Sequence, residues 1–277
     1  MIDGLRPIDS LKPGMVAVVG VPSDENSSFL RGAAKGPARI RQFLHAGSMN
    51  MWTEGGLELS EEDRFRDLGD LKLPEGIAAI RRIEAATAAL LERGVKVLAL
   101  GGDHSITYPI IRAYAAKYDD LTILQLDAHP DLYDEYAGSR YSHACPFARV
   151  MEENLVRRLV QVGIRATNEH LREQAERFGL EIIEMRSWRA EPTLNLEGPL
   201  YLSMDMDVFD PSVAPGVSHH EPGGPGAREV LALIHRIDVP IVGADLVEFN
   251  PARDPTGITA ALAAKLYKEI AARMLGA

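Results

Sequence analysis

Six apolar runs punctuate the chain: Met15 to Val21, Val95 to Leu100, Leu121 to Leu126, Leu159 to Gly163, Pro199 to Met206 and Pro240 to Val247. Each is short and apolar nearly throughout rather than alternating, as expected of a strand buried on both faces. Between the runs, apolar residues return at helical spacing. Ile77 to Arg93 reads as a helix stopped by Gly94, and Ile106 to Lys117, Cys145 to Asn154, Glu169 to Phe178 and Arg228 to Ile237 read similarly. An Ala-rich helix follows over Ile258 to Leu275. Strands alternating with helices predict right-handed βαβ crossovers and an α/β fold, a mainly parallel sheet, open or doubly wound with helices on both faces.

No internal repeat, low-complexity tract or Pro/Gly/Ser-rich linker divides the chain, so the 277 residues are expected to form a single domain over 1–277. Two stretches stand outside the pattern. Gly56 to Asp70 is polar and receives no element; Pro211 to Pro225 is a Pro/Gly-rich loop too long for a simple connector, and such loops often line sites.

In open α/β sheets ligands bind beyond the carboxyl ends of the strands, and polar groups gather there. Asp103-His104 follows VLAL, Asp127-Ala-His129-Pro-Asp131 follows TILQL, Gly163-Ile-Arg165 follows LVQV, Asp205 and Asp207 stand in YLSMDMD, and Glu248 ends GADLVEFN. Side chains at i, i+2 and i+4 of an extended segment share a face, so Asp127, His129 and Asp131 are expected to converge, as are Asp205 and Asp207. A lone Asp-x-His or Asp-x-Asp is more simply a turn or a helix cap. Six such residues at the mouths of apolar strands would be a costly cluster of like charge unless cations compensate it.

With His104 the set holds two imidazoles, four carboxylates and no thiolate, which suits hard or borderline divalent ions such as Mn²⁺ better than structural zinc. Two ions about 3.5–4 Å apart lower the pKa of a bridging water toward ~7 and so support hydrolysis. The open arrangement of non-haem iron oxygenases and the P-loop of phosphoryl transfer are not found.

Composition narrows the partners. A formal charge of −10 argues against nucleic acid and fits a small cationic substrate drawn to an acidic pocket. No run approaches membrane length and MIDGLRPIDS has no apolar core, so neither a membrane partner nor secretion is expected. The single cysteine, Cys145, excludes an internal disulfide framework and suits a reducing compartment; a cytoplasmic protein is the expectation.

Three further residues have chemical readings. Glu248 is either a rim charge or a carboxylate that accepts a bidentate pair of hydrogen bonds from a planar guanidinium; its place on the shared rim favours the second. His143 is either solvated or a proton shuttle beside the ions. Cys145 next to it raises a rival, a thiolate nucleophile, although a small buried residue opening a helix is the simpler reading. His219-His220-Glu221 reads as a polar loop with one side chain facing the pocket, and His45, His170 and His235 are given no role. Gly101 and Gly102 are expected where backbone approaches closely, not in a nucleotide-binding loop.

From VGVPSDENSSFLRGAAKGP through GGDHS, DAHPDLYD, SHACPF, VGIR and SMDMDVFDP to GADLVEFNP, the chain resembles the ureohydrolases, the arginase and agmatinase superfamily, over almost its whole length. The resemblance implies that superfamily's three-layer α/β/α fold, assembly as a homotrimer or homohexamer, and two Mn²⁺ per subunit held by His104, Asp127, His129, Asp131, Asp205 and Asp207, with Asp127 and Asp207 bridging. It implies His143, Glu248 and Asp131 as catalytic residues, His143 as proton shuttle and Glu248 as guanidinium carboxylate. The implied reaction hydrolyses a guanidino group to urea and an amine.

Tyr133, Ser139 and Asn168, with Glu248, are the candidate substrate contacts. Tyr133 and Asn168 stand where animal-type arginases place an Asn and an Asp for the amino-acid head group. The segments around them resemble plant-type arginases, which implies L-arginine as substrate; agmatine, guanidinobutyrate, hydroxylated arginine and formiminoglutamate are the alternatives.

Overall fold

The computed structural model describes residues 2–188 and 194–277. All six apolar runs become strands: β1 (Val16–Val21), β3 (Lys96–Gly101), β4 (Thr122–Leu126), β5 (Arg158–Ile164), β7 (Leu200–Asp205) and β8 (Ile241–Val247). Two further strands, β2 (Phe65–Asp70) and β6 (Glu181–Glu184), complete one sheet of eight in the order β2-β1-β3-β8-β7-β4-β5-β6, parallel at every pairing. The two strands without an apolar signature are its two edges. β2 buries only Phe65 and Leu68, and no position of β6 is fully buried, so neither needs a continuous apolar run.

The helices are α1 (Gly36–Leu44), α2 (Ile77–Glu92), α3 (Thr107–Ala115), α4 (Pro146–Glu152), α5 (Glu169–Phe178), α6 (Ala227–His235) and α7 (Ile258–Leu275). They divide between the faces, and the strands' alternation divides with them. Val16, Val18, Leu98, Leu100, Leu124 and Leu202 pack with α1, α6 and α7. Ala17, Val19, Val97, Ala99, Ile123 and Tyr201 pack with α2, α3, α4 and α5. The two apolar cores are the outer seams of a three-layer α/β/α sandwich. Among the described residues no helix is long and apolar enough to cross a membrane.

The central strands β3, β8, β7 and β4 end at one rim. Close packing there depends on Gly101 and Gly102: a Cβ on Gly102 would run into the backbone of Ser23, and one on Gly101 would sit 2.6 Å from Val247. This close approach is between neighbouring strand exits, which lets the β1 and β3 loops share the rim.

Candidate active site

β4 ends at Leu126, so Asp127, His129 and Asp131 lie beyond it and not along an extended strand. The expected single face is therefore corrected. Asp131 adopts φ 50, in the left-handed region unfavourable to side chains other than Asn, Asp or Gly, and the chain folds over the strand end. The three ligand candidates are dealt to two adjacent groups: His104, Asp127 and Asp131 form one, and Asp127, His129 and Asp207 the other. Asp127 belongs to both, as its bridging assignment requires. Asp207 belongs only to the second, 2.9 Å from His129 Nδ1, while Asp205 Oδ2 lies 3.1 Å from His104 Nδ1. A bridging Asp207 is not what this arrangement shows. Asp205 is the last residue of β7 whereas Asp207 sits on the one-turn helix after it, so the two carboxylates reach different groups.

His104 supplies the test of fit for a cation. Its ring is fully buried, and Nδ1 lies 3.2, 3.1 and 3.1 Å from oxygens of Asp127, Asp131 and Asp205, yet makes no hydrogen bond. Its other nitrogen is spoken for. Ser203 Oγ donates to Asp245 Oδ1 at 2.8 Å, so the 2.9 Å contact between His104 Nε2 and Ser203 Oγ has the histidine as donor. That relay leaves Nδ1 with a lone pair aimed into three carboxylates, a metal-ligand posture oriented from behind. Burial opposes a charge on the ring, but the carboxylates push the His104 pKa well up. Burial and the neighbouring anions push Asp205 and Asp207 up as well, and Asp131 to about 6. The cluster holds its charge by retaining protons, which a pair of dications would replace.

Supports of these groups were not singled out in the sequence. Asp245, wholly buried on β8, accepts from Thr107, Tyr201 and Ser203 hydroxyls at 2.8 Å each. On the opposite side Gln125 Nε2 donates to Asp127 Oδ2 at 2.7 Å, and Gln161 donates to Gln125 Oε1. Their signal was present: polar residues interrupt apolar strands that are buried throughout apart from Arg158 at the start of β5. Arg165 is a clamp and not a rim charge, since its guanidinium donates to the carbonyls of Gly163, Asp207, Val208, Phe209 and Glu221.

Glu248 follows β8 directly, at φ 64, another strained backbone at the site. Its Oε1 accepts from His104 N at 2.9 Å and pairs with His143 Nδ1 at 2.8 Å. Burial opposes charge on both partners, yet their attraction keeps Glu248 low and pushes His143 up to about 9. The pocket beside them is lined by Asp131, Tyr133, His143, Asn168, His219 and Glu248, among others.

Asn168 caps α5, accepting from Leu171 N at 2.9 Å, and donates to Tyr133 OH at 2.7 Å. Tyr133 stacks on His170, which thereby gains a supporting role. Ser139 is not brought to the pocket wall. It closes a tight turn with Tyr136, and its hydroxyl accepts from Tyr141 N. His219 is the side chain of its loop that faces the pocket; its ring lies 5.0 Å from that of His143, and His220 instead contacts the Pro215 carbonyl. Cys145 is buried, and burial with the nearby Asp131 pushes its thiol up to about 12, which removes the thiolate alternative.

Comparison with known proteins agrees with this geometry. The model of the Arginase family matches residues 15–272. The chain belongs to the Arginase family.

Within this family it is 47% identical over 275 residues to "Arginase 1, mitochondrial" of Arabidopsis thaliana, covering 93% of this chain and 80% of that one. It is 35% identical to an agmatinase of Bacillus anthracis, covering 94% and 92% of the two chains. The solved structure of arginase from Medicago truncatula superposes with a TM-score of 0.88 at 41% identity, covering 94% of this chain and 87% of that one. One expectation falls here. The A. thaliana relative is named as mitochondrial, so the cytoplasmic expectation does not stand. A lone buried cysteine suits the reducing interior of either compartment and could not separate them.

Proposed function

We propose that this chain hydrolyses L-arginine to L-ornithine and urea, using two Mn²⁺ per subunit held by His104, Asp127, His129, Asp131, Asp205 and Asp207. One observation carries the reading: two imidazole–carboxylate groups share Asp127 beside a carboxylate, Glu248, in one pocket. The names of the relatives support arginine over agmatine, since the plant arginase matches at 47% identity and the agmatinase at 35%.

When bound, the ions would supply an ionised water at neutral pH, a nucleophile for the electrophilic guanidinium carbon. The rest falls to the chain's own residues. Glu248 Oε1 is engaged by His104 and His143, so a guanidinium would draw Glu248 toward a bidentate pairing at the expense of His143. His143, with that pairing loosened, gives its Nε2 proton to the departing amine and keeps the proton on Nδ1. Asp131, which belongs to the first group and lines the pocket, would orient water there. The Tyr133 hydroxyl, fixed by Asn168 and stacked on His170, meets the head group at the outer end. We read residues 1–277 as one domain and the assembly as a homotrimer or homohexamer.

The test is urea release from arginine, agmatine, guanidinobutyrate and hydroxyarginine after Mn²⁺ loading, with bound metal measured in parallel. Arginine should give the highest kcat/KM, with two ions per chain. Glu248→Gln should keep both ions and lose nearly all activity, because its amide presents a donor to the guanidinium. Full activity in chelated, metal-free protein would overturn the two-ion reading; a tenfold preference for agmatine would overturn the substrate.

A further inference from the structure

The loop after β1, Asp24 to Leu30, supplies none of the ligands or substrate contacts assigned above, yet it is fastened to the site. Asp103, buried and not a ligand, accepts from Asn26 N at 3.0 Å and Ser27 Oγ at 3.4 Å. Asn26 also donates to Ser105 Oγ, and its carbonyl accepts from His143 N at 3.1 Å. Farther along, the Leu30 carbonyl accepts from Ser218 Oγ and Asn250 Nδ2, and Asp24 binds the amides of Gly32 and Ala34. These ties hold Ser28 against the shuttle candidate: its Oγ lies 2.8 Å from His143 Nε2 and 3.5 Å from His219 Nε2.

We propose that Ser28 is a positioning residue for the reaction, one that fixes the ring of His143 through Nε2 and passes the proton that recharges the ring between turnovers. The inference rests on His143 being the proton shuttle. Its geometry leaves little choice of route. Nδ1 is taken by Glu248, so the buried ring exchanges with solvent through Nε2, and Nε2 meets a serine that is itself open to water. A hydroxyl serves both states of the ring, accepting from the imidazolium N–H and donating to the neutral nitrogen. In the recharging step the Ser28 oxygen takes a proton from solvent and gives its own to Nε2. One O–H bond forms, one breaks, an N–H bond forms, and the serine returns to its starting state. His219 Nε2, 3.5 Å away, is a second ring nitrogen within reach of the Ser28 hydroxyl.

The experiment compares wild type, Ser28→Ala, Ser28→Thr and His143→Asn as full chains loaded with Mn²⁺. The readouts are metal content, kcat, KM and the pH dependence of kcat. Groups facing His143 that contribute to that profile are Glu248, His219, Asp131 and Asp103. Ser28→Ala should retain both ions and keep KM within about twofold. Its kcat should fall by roughly tenfold, less than the ~10²–10⁴-fold of a direct general acid or base because Ser28 acts through His143. The limb of the profile that His143→Asn abolishes should shift, and added imidazole should raise kcat of Ser28→Ala but not of wild type. Ser28→Thr, which keeps the hydroxyl, should recover most of the loss.

Wild-type kcat and pH profile in Ser28→Ala, alongside a collapsed His143→Asn, would overturn the inference and leave the shuttle standing. A raised KM with unchanged kcat would make Ser28 a substrate contact instead, and a loss that neither Thr nor imidazole repairs would make it a steric one. Near-wild-type kcat in His143→Asn would remove the shuttle and this inference together.

Discussion

His143 Nδ1 stands 2.8 Å from Glu248 Oε1, a buried ion pair formed by the two residues assigned opposite tasks on the substrate. The carboxylate that is to receive the guanidinium is held meanwhile by the histidine that is to protonate the product. Each partner keeps the other charged in a pocket that would otherwise neutralise both. In the proposed mechanism, substrate arrival would loosen the pair and so couple guanidinium binding to release of the shuttle.

This pairing has a signature in stability. The folded pKa of His143, about 9, lies above its ordinary 6.5, so its contribution is fully present below pH 6.5 and is lost as pH rises through about 9. A shift of this size corresponds to about 3 kcal/mol. Urea unfolding of chelated wild type and His143→Asn should therefore show a gap in midpoint that is wide near pH 6.5 and closes by pH ~9.5. A gap that does not change with pH would assign the loss to packing.

The relay from Asp245 through Ser203 to His104 should act on metal affinity. Asp245→Asn preserves shape but weakens the acceptor behind Ser203, and loss of such support typically costs roughly 10–100-fold in affinity. Equilibrium dialysis against Mn²⁺ should show one ion weakened by that amount and the other much less. Ser203→Ala should weaken the same ion, and the double variant should be less than additive because both act through one imidazole. Two ions bound as tightly as in wild type would disprove the relay.

Asn168 joins a helix cap to the outer pocket. Asn168→Ala should cost about 1 kcal/mol in unfolding free energy, as for other lost caps. It should also free Tyr133, lowering kcat/KM for arginine by roughly tenfold while leaving agmatine, which has no carboxylate, nearly unaffected. Equal losses on both substrates would place Tyr133 outside head-group recognition.

Cys145 should be chemically silent. With its thiol pushed up to about 12 and its side chain enclosed, it should resist iodoacetamide at pH 8 in the native protein and react only on unfolding. Cys145→Ala should keep both ions and kcat within about threefold, at a stability cost of roughly 1–2 kcal/mol for the small cavity. Loss of activity with ions retained would reopen the thiol chemistry.

The sequence by itself determined the class of fold, the interior strands and the identity of the six ligand candidates. A strand covered on both faces must be apolar nearly throughout, so β1, β3, β4, β5, β7 and β8 were visible, and polar residues at their exits stood out against them. Edge strands carry no such demand, and β2 and β6 escaped notice because solvent tolerates the charges of FRDLGD and EIIE. What the tertiary structure alone decided is how those residues are grouped. Spacing suggested that Asp127, His129 and Asp131 share a face, but β4 ends before them and the left-handed turn at Asp131 deals them to two groups. The same holds for Ser28, Ser203, Gln125 and Asp245, whose types are ordinary in any sequence. Their meaning lies in contacts such as Gln161 to Gln125, Ser203 to Asp245 and Ser28 to His143, across 36, 42 and 115 residues of chain, set by which strand exits the parallel sheet places side by side.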